Sequence, residues 1–102
     1  KNMILSANGQ NIYPEEIEAV VNNQPYVIES VVVDRGSKLV ALVYMDAEAA
    51  KTAGVDMELY KVELMAEVNK SMPAYSKIGL VEIMAEPFEK TPKMSIKRFM
   101  YK

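Results

Sequence analysis

Two apolar runs with almost no polar interruption, Val27 to Asp34 and Lys38 to Met45, are separated by the short segment Arg35-Gly36-Ser37. They constrain the fold more than any other feature of the chain. β-Branched residues dominate the first run and a glycine-bearing turn joins the two, which predicts an antiparallel hairpin. A strand with one face in water alternates apolar and polar residues; these runs are nearly continuous, so both faces of the hairpin have to be covered. One cover is legible in Met57, Tyr60, Leu64, Met65, Val68 and Met72, whose three- and four-residue spacing predicts a helix lying on the sheet, capped by Asp56 and ended by Pro73.

The remaining segments complete an α+β layer. Pro14 suits the first position of a helix, Glu15 and Glu16 suit its positive end, and Ile17, Val20 and Val21 fall on one face. Asn2 to Leu5 and Asn11-Ile12 flank Asn8-Gly9, a turn signal, and read as a small hairpin. Asp46 to Ala53 is expected to form a short helix stopped by Gly54, Ile78 to Met84 a further strand, and Ser95 to Tyr101 a last helical turn or two, with Glu86-Pro87-Phe88 leaving the sheet. The expected fold is a small three-stranded central sheet flanked by helices, with an N-terminal β-hairpin.

The composition excludes several kinds of chemistry. With no Cys and no His among 102 residues, there is no thiol nucleophile, no imidazole base and no usual zinc ligand. Any chemistry rests on Lys, Arg, carboxylates or backbone groups, and no metal site is expected. The longest apolar stretches fall far short of the ~20 residues that span a bilayer, and nothing resembles a signal peptide. The chain therefore reads as cytoplasmic, or at most peripheral to a membrane. Net charge is only -2, but Lys90, Lys93, Lys97, Arg98 and Lys102 give residues 90–102 a charge of +5, leaving -7 on the rest. A compact positive segment on an acidic body suggests a local anion site rather than a face for nucleic acid.

Two constellations stand out. The first is Ser6-Ala7-Asn8-Gly9-Gln10 running into Asn11-Ile12-Tyr13-Pro14-Glu15-Glu16-Ile17-Glu18; the second is Phe88-Glu89-Lys90-Thr91-Pro92-Lys93-Met94-Ser95-Ile96-Lys97-Arg98-Phe99. As a pair they resemble the motifs that open and close the C-terminal domain of the AMP-forming adenylating enzymes, the superfamily of acyl-CoA synthetases, peptide-synthetase adenylation domains and luciferases. The resemblance covers essentially the whole chain, and the long loop after Ile4, with Phe88 to Pro92 and Ile96 to Phe99, looks most like the long-chain fatty-acid–CoA ligase branch. Since the first residue already lies inside the opening motif, the chain is expected to be a piece of a larger enzyme and inactive alone.

The resemblance implies that residues 1–102 form a mobile lid in a two-step reaction using ATP, Mg2+ and coenzyme A, all bound mainly by an N-terminal adenylation domain of the same polypeptide. A carboxylate, here a fatty acid, reacts with ATP to give acyl-adenylate and pyrophosphate; coenzyme A then takes the acyl group as a thioester. Lys1 corresponds to the hinge. Ala7, Asn8, Gly9 and Gln10 would line the pantetheine passage in the second step. A lysine of the closing motif would stabilise phosphate charge in the first. This chain departs from the family there: anchoring on Ile96 and Arg98 puts Met94 at the family glycine and Ser95 at the family lysine. Serine carries no charge, so the flanking Lys93 or Lys97 is the candidate cation, unless adenylation here leans less on the tail. Residues two apart on an extended segment share a side, which favours Lys93.

A second possibility, from a different class, is a small non-catalytic α+β module that contacts RNA or an acidic partner through the basic tail. The eight aromatic residues are scattered, however, and no sheet-borne pair for base stacking is evident.

Overall fold

The computed structural model describes residues 2–102, so Lys1 and its expected hinge role lie outside the described residues. The chain runs β1 (Ile4–Leu5), β2 (Asn11–Ile12), α1 (Pro14–Val21), β3 (Val27–Arg35), β4 (Lys38–Met45), α2 (Ala47–Thr52), α3 (Met57–Asn69) and β5 (Leu80–Met84), with 3-10 turns at Ala74–Ser76 and Arg98–Tyr101. β1 and β2 pair as the expected small hairpin, and β3, β4 and β5 form the three-stranded sheet with β4 at its centre. The fold is α+β, as expected.

The β3–β4 pair is antiparallel, with Val32 opposite Ala41 and Val33 opposite Val40. Its two-residue connection, Gly36-Ser37, has φ of 58° and 65°. Left-handed backbone at both positions matches the right-handed twist of the flanking strands. β5 runs parallel to β4, Val40 to Tyr44 pairing with Leu80 to Met84. A parallel return needs a long crossover, which α2 and α3 supply. Asp46 and Asp56 cap these helices, accepting bonds from Ala49 and from Glu58 and Leu59.

One layer of core joins Val32, Leu39, Ala41, Val43 and Val81 of the sheet to Ile17 and Val21 of α1 and to Tyr60, Leu64 and Val68 of α3, with Met57, Met65 and Met72 packed at its edge. The other face carries Val31, Val33, Val40 and Leu42, and Phe88 buries against them with Ile96 and Tyr101 beside it. Segment 88–101 thus folds back across the sheet rather than leaving it. Phe88 meets the Tyr101 ring edge to face at 5.0 Å, and the Tyr101 hydroxyl accepts from Glu89 N at 2.7 Å. This second cover is why the two central runs do not alternate.

The first strand is confined to Ile4–Leu5 and the last helical turn to Arg98–Tyr101, and two further boundaries differ from expectation. α3 ends at Asn69 rather than at Pro73, and β5 starts at Leu80 rather than Ile78. One side chain accounts for both: the Asn69 amide donates to Ile78 O at 2.9 Å and accepts from Ile78 N at 2.8 Å. These bonds occupy the Ile78 backbone before the strand ladder begins. Pro73 instead precedes the 3-10 turn.

Tyr60 is buried in α3 and its hydroxyl donates to Pro25 O. Burial, with Tyr26 nearby, raises its pKa above the ordinary tyrosine value. A raised folded-state value favours the protonated form, so this contribution is full below the unfolded-state pKa and is lost as pH rises through the folded one. Tyr60→Phe is expected to cost about 1 kcal/mol at neutral pH through the missing hydrogen bond. Urea unfolding at neutral and strongly alkaline pH checks this: the variant should also lose less stability on alkalinisation than the parent.

Candidate functional site

The opening loop is a tight, backbone-locked turn. Gly9 N donates to Ser6 O at 3.0 Å, Ser6 N to Gln10 O at 2.9 Å, and Gln10 N to the Ser6 hydroxyl at 3.0 Å. Only Gly9 of the Asn8-Gly9 pair takes a positive φ, +80°, and a Cβ built on it would meet no heavy atom within 4 Å. Glycine is therefore required there by backbone conformation, while the surface beside it is open. Ala7, Asn8, Gly9 and Gln10 are all exposed. Ser6, Ala7 and Asn8 line a groove of about 610 Å³ with Ser37, Lys38, Tyr75 and Lys77.

The closing motif is a second tight hairpin. Lys90 bridges Ile96, Thr91 N donates to Ser95 O at 2.8 Å and Met94 N to Thr91 O at 2.9 Å. Met94 has φ +66°, a conformation that suits glycine far better than methionine. It is the residue at which the expected motif has glycine. Lys93 is exposed at the turn, whereas Lys97 is half-buried after Ile96, its N donating to Glu89 O at 2.8 Å. Ser95 and Lys97 line a groove of about 690 Å³ with Asn2, Glu15 and Glu29; Lys93 does not. The extended geometry assumed in favouring Lys93 is interrupted by the turn.

What the sequence did not reveal is a link between the two motifs. Glu18, the last residue of the opening motif, is buried in α1. Its carboxylate receives the Arg98 guanidinium in a two-pronged ion pair, Nη1 to Oε2 at 2.7 Å and Nη2 to Oε1, and also accepts from Val32 N at 2.8 Å. β3 has only β4 as a neighbour, so this last bond satisfies a donor on the sheet edge. The bond to Glu18 raises the Arg98 pKa, against the opposing effect of burial, and holds the cation charged. A signal was available: Pro14, Ile17, Glu18 and Val21 are the buried positions of α1, spaced as one helical face.

The basic tail is thereby partly neutralised from within. Lys90 pairs with Glu29 at 2.6 Å and Arg98 with Glu18, while no ion pair among the described residues engages Lys93, Lys97 or Lys102. Beside Lys97, Asn2 Nδ2 donates to Glu15 Oε2 at 2.8 Å. Burial opposes ionisation of Glu15, but that bond, the backbone and Arg98 outweigh it and hold its pKa below the usual value. Among the described residues no group of three or more His, Cys, Asp or Glu side chains could hold a metal ion. None of the helices described is long and apolar enough to cross a membrane.

Comparison with known proteins agrees with this arrangement. The chain folds like part of an acyl-CoA synthetase of Brucella canis (TM-score 0.75, 28% identity, 98% of this chain and 18% of that one). It also resembles a fatty acyl CoA synthetase of Mycobacterium tuberculosis (0.71, 25%, 96% and 18%). The anthranilate CoA ligase AuaEII, solved with anthranoyl-AMP, shares the fold at 0.80 and 22% identity over 96% of this chain and 18% of its own. The chain thus spans about a fifth of these structures. No curated protein matches its sequence. The family model for the AMP-binding enzyme C-terminal domain matches residues 1–101, which include both turns and the ion pair that ties them, and the chain belongs to that family.

Proposed function

We propose that residues 1–102 are the mobile lid of a cytoplasmic AMP-forming acid–thiol ligase, and that its acid is a long-chain fatty acid. The observation that carries this is the presentation of two exposed, rigid turns, Ser6–Gln10 and Lys90–Ile96, on one body whose ends are tied together by Glu18 and Arg98. In the first half-reaction a carboxylate oxygen attacks the α-phosphorus of ATP, the α–β anhydride bond breaks, and pyrophosphate leaves. The lid contributes cations: Lys93 and Lys97 are the two in the closing hairpin that the protein itself does not neutralise, and either can stabilise negative charge on phosphate oxygens.

In the second half-reaction the thiolate of coenzyme A attacks the acyl carbonyl and AMP leaves. Ala7, Asn8, Gly9 and Gln10 then face the passage, where the absent Gly9 side chain lets a pantetheine arm lie against the backbone. Rotation about Lys1 exchanges the two edges. Mg2+, ATP and coenzyme A are assigned mainly to the N-terminal domain. The fatty-acid class is supported by the closing motif and by the fatty acyl CoA synthetase among the structural relatives. The test is ATP–pyrophosphate exchange by the full-length enzyme. Exchange should require a fatty acid and rise with chain length; its absence with carboxylates of every length would refute the proposal.

A further inference from the structure

We infer that the buried Glu18–Arg98 pair positions Lys97, and that Lys97 rather than Lys93 takes the place left open by Ser95. This rests on the lid function proposed above. Ile96 packs on the second face of the sheet and lies in the bridge to Lys90. Its neighbours Ser95 and Lys97 both line the groove beside Asn2 and Glu15. Lys93 is separated from Ser95 by the left-handed residue Met94, which reverses the chain. In the folded hairpin it is Lys97, not Lys93, that shares a groove with Ser95.

Lys97 is also the cation whose backbone is held on both sides. Before it, Lys90 is fixed to Glu29 of β3 at 2.6 Å, and Lys97 N bonds Glu89 O. Immediately after it, Arg98 is locked to Glu18, which is itself locked to Val32 N at the sheet edge. A planar guanidinium gripping a carboxylate at two points fixes direction as well as distance, which an ammonium cannot do. Two of the tail's cations thus serve as anchors and orient a third. Glu18 and Arg98 act through Lys97 and are positioning residues, with no contact to substrate required. Misplacement of a reacting or charge-stabilising group by about 1 Å can cost on the order of 100-fold in rate.

The full-length enzyme tests this with Glu18→Gln, Arg98→Lys, Lys97→Ala and Lys93→Ala. Fatty-acid-dependent ATP–pyrophosphate exchange reads the first half-reaction; thioester formation from preformed acyl-adenylate and coenzyme A reads the second. Glu18→Gln and Arg98→Lys should lower exchange about 10-fold or more and leave thioester formation within about twofold. In the Lys97→Ala background Glu18→Gln should add no further loss, because the group it positions is gone. Lys97→Ala should lower exchange about 10-fold more than Lys93→Ala does. The inference is overturned if both half-reactions fall together, if the Glu18 and Lys97 effects multiply, or if Lys97→Ala leaves exchange intact. Should Glu18→Gln not fold, Arg98→Lys, which keeps the cation, decides by the same criteria. A parent enzyme with no exchange at all would instead refute the lid function itself.

Discussion

Glu18→Ala is expected to destabilise the chain by about 3 kcal/mol, a large share of what a domain of this size has to lose. The change removes three bonds at once. Arg98 keeps its charge in a half-buried site without its hydrogen-bonded carboxylate, and Val32 N loses its acceptor on the sheet edge. Breaking one side of a fully buried pair costs about 3–5 kcal/mol; Arg98 retains some access to water, which places the expected value at the lower end. Arg98→Ala leaves the carboxylate bonded to Val32 N and should cost less. Urea unfolding of both variants checks the order. The second face should also loosen, because Arg98 is the last tie of segment 88–98 to α1, and Phe88 and Ile96 pack under that segment.

Gly9→Leu should separate the two half-reactions of the full-length enzyme. Gly9 makes no packing contact with a built Cβ, so the change creates no clash within the domain, and its cost in stability is the backbone strain of a side chain at φ +80°, about 1 kcal/mol. Function is affected elsewhere. A leucine projecting from the exposed loop fills the space through which the pantetheine arm would pass, and thioester formation should fall about 100-fold or more. Fatty-acid-dependent exchange should stay within about threefold, since in the proposed first step it is the closing hairpin that faces the substrates. The comparison needs only steady exchange and a thioester assay on one variant.

The layer architecture was legible in the sequence because apolar period and turn chemistry agree along most of the chain. Continuous runs at 27–34 and 38–45 gave the hairpin, and the stripe from Met57 to Val68 gave α3. What escaped was decided by single side chains making long-range bonds. Asn69 closes α3 and delays β5 by capturing the Ile78 backbone, a contact nine residues away that helix propensity does not encode. Phe88 looked like the start of an exit and instead anchors the second cover. Glu18 was masked by its charge, although its place on the α1 face pointed inward. Its partner lies 80 residues on, and only the fold brings them together. For the candidate site, the two motifs and the serine at the lysine position were evident from residue identity. Which lysine shares a groove with Ser95 was not, because the turn at Met94 depends on its backbone conformation.

The most direct measurement is a crossed assay of the full-length enzyme, with Gly9→Leu and Lys97→Ala compared in both half-reactions. A lid that serves adenylation with one edge and thioester formation with the other predicts opposite losses: Lys97→Ala defective in fatty-acid-dependent exchange, Gly9→Leu defective in acyl transfer to coenzyme A, each near the parent in the other step. Equal losses in both steps for both variants, with unaltered thermal unfolding, would contradict a lid with two separate working edges.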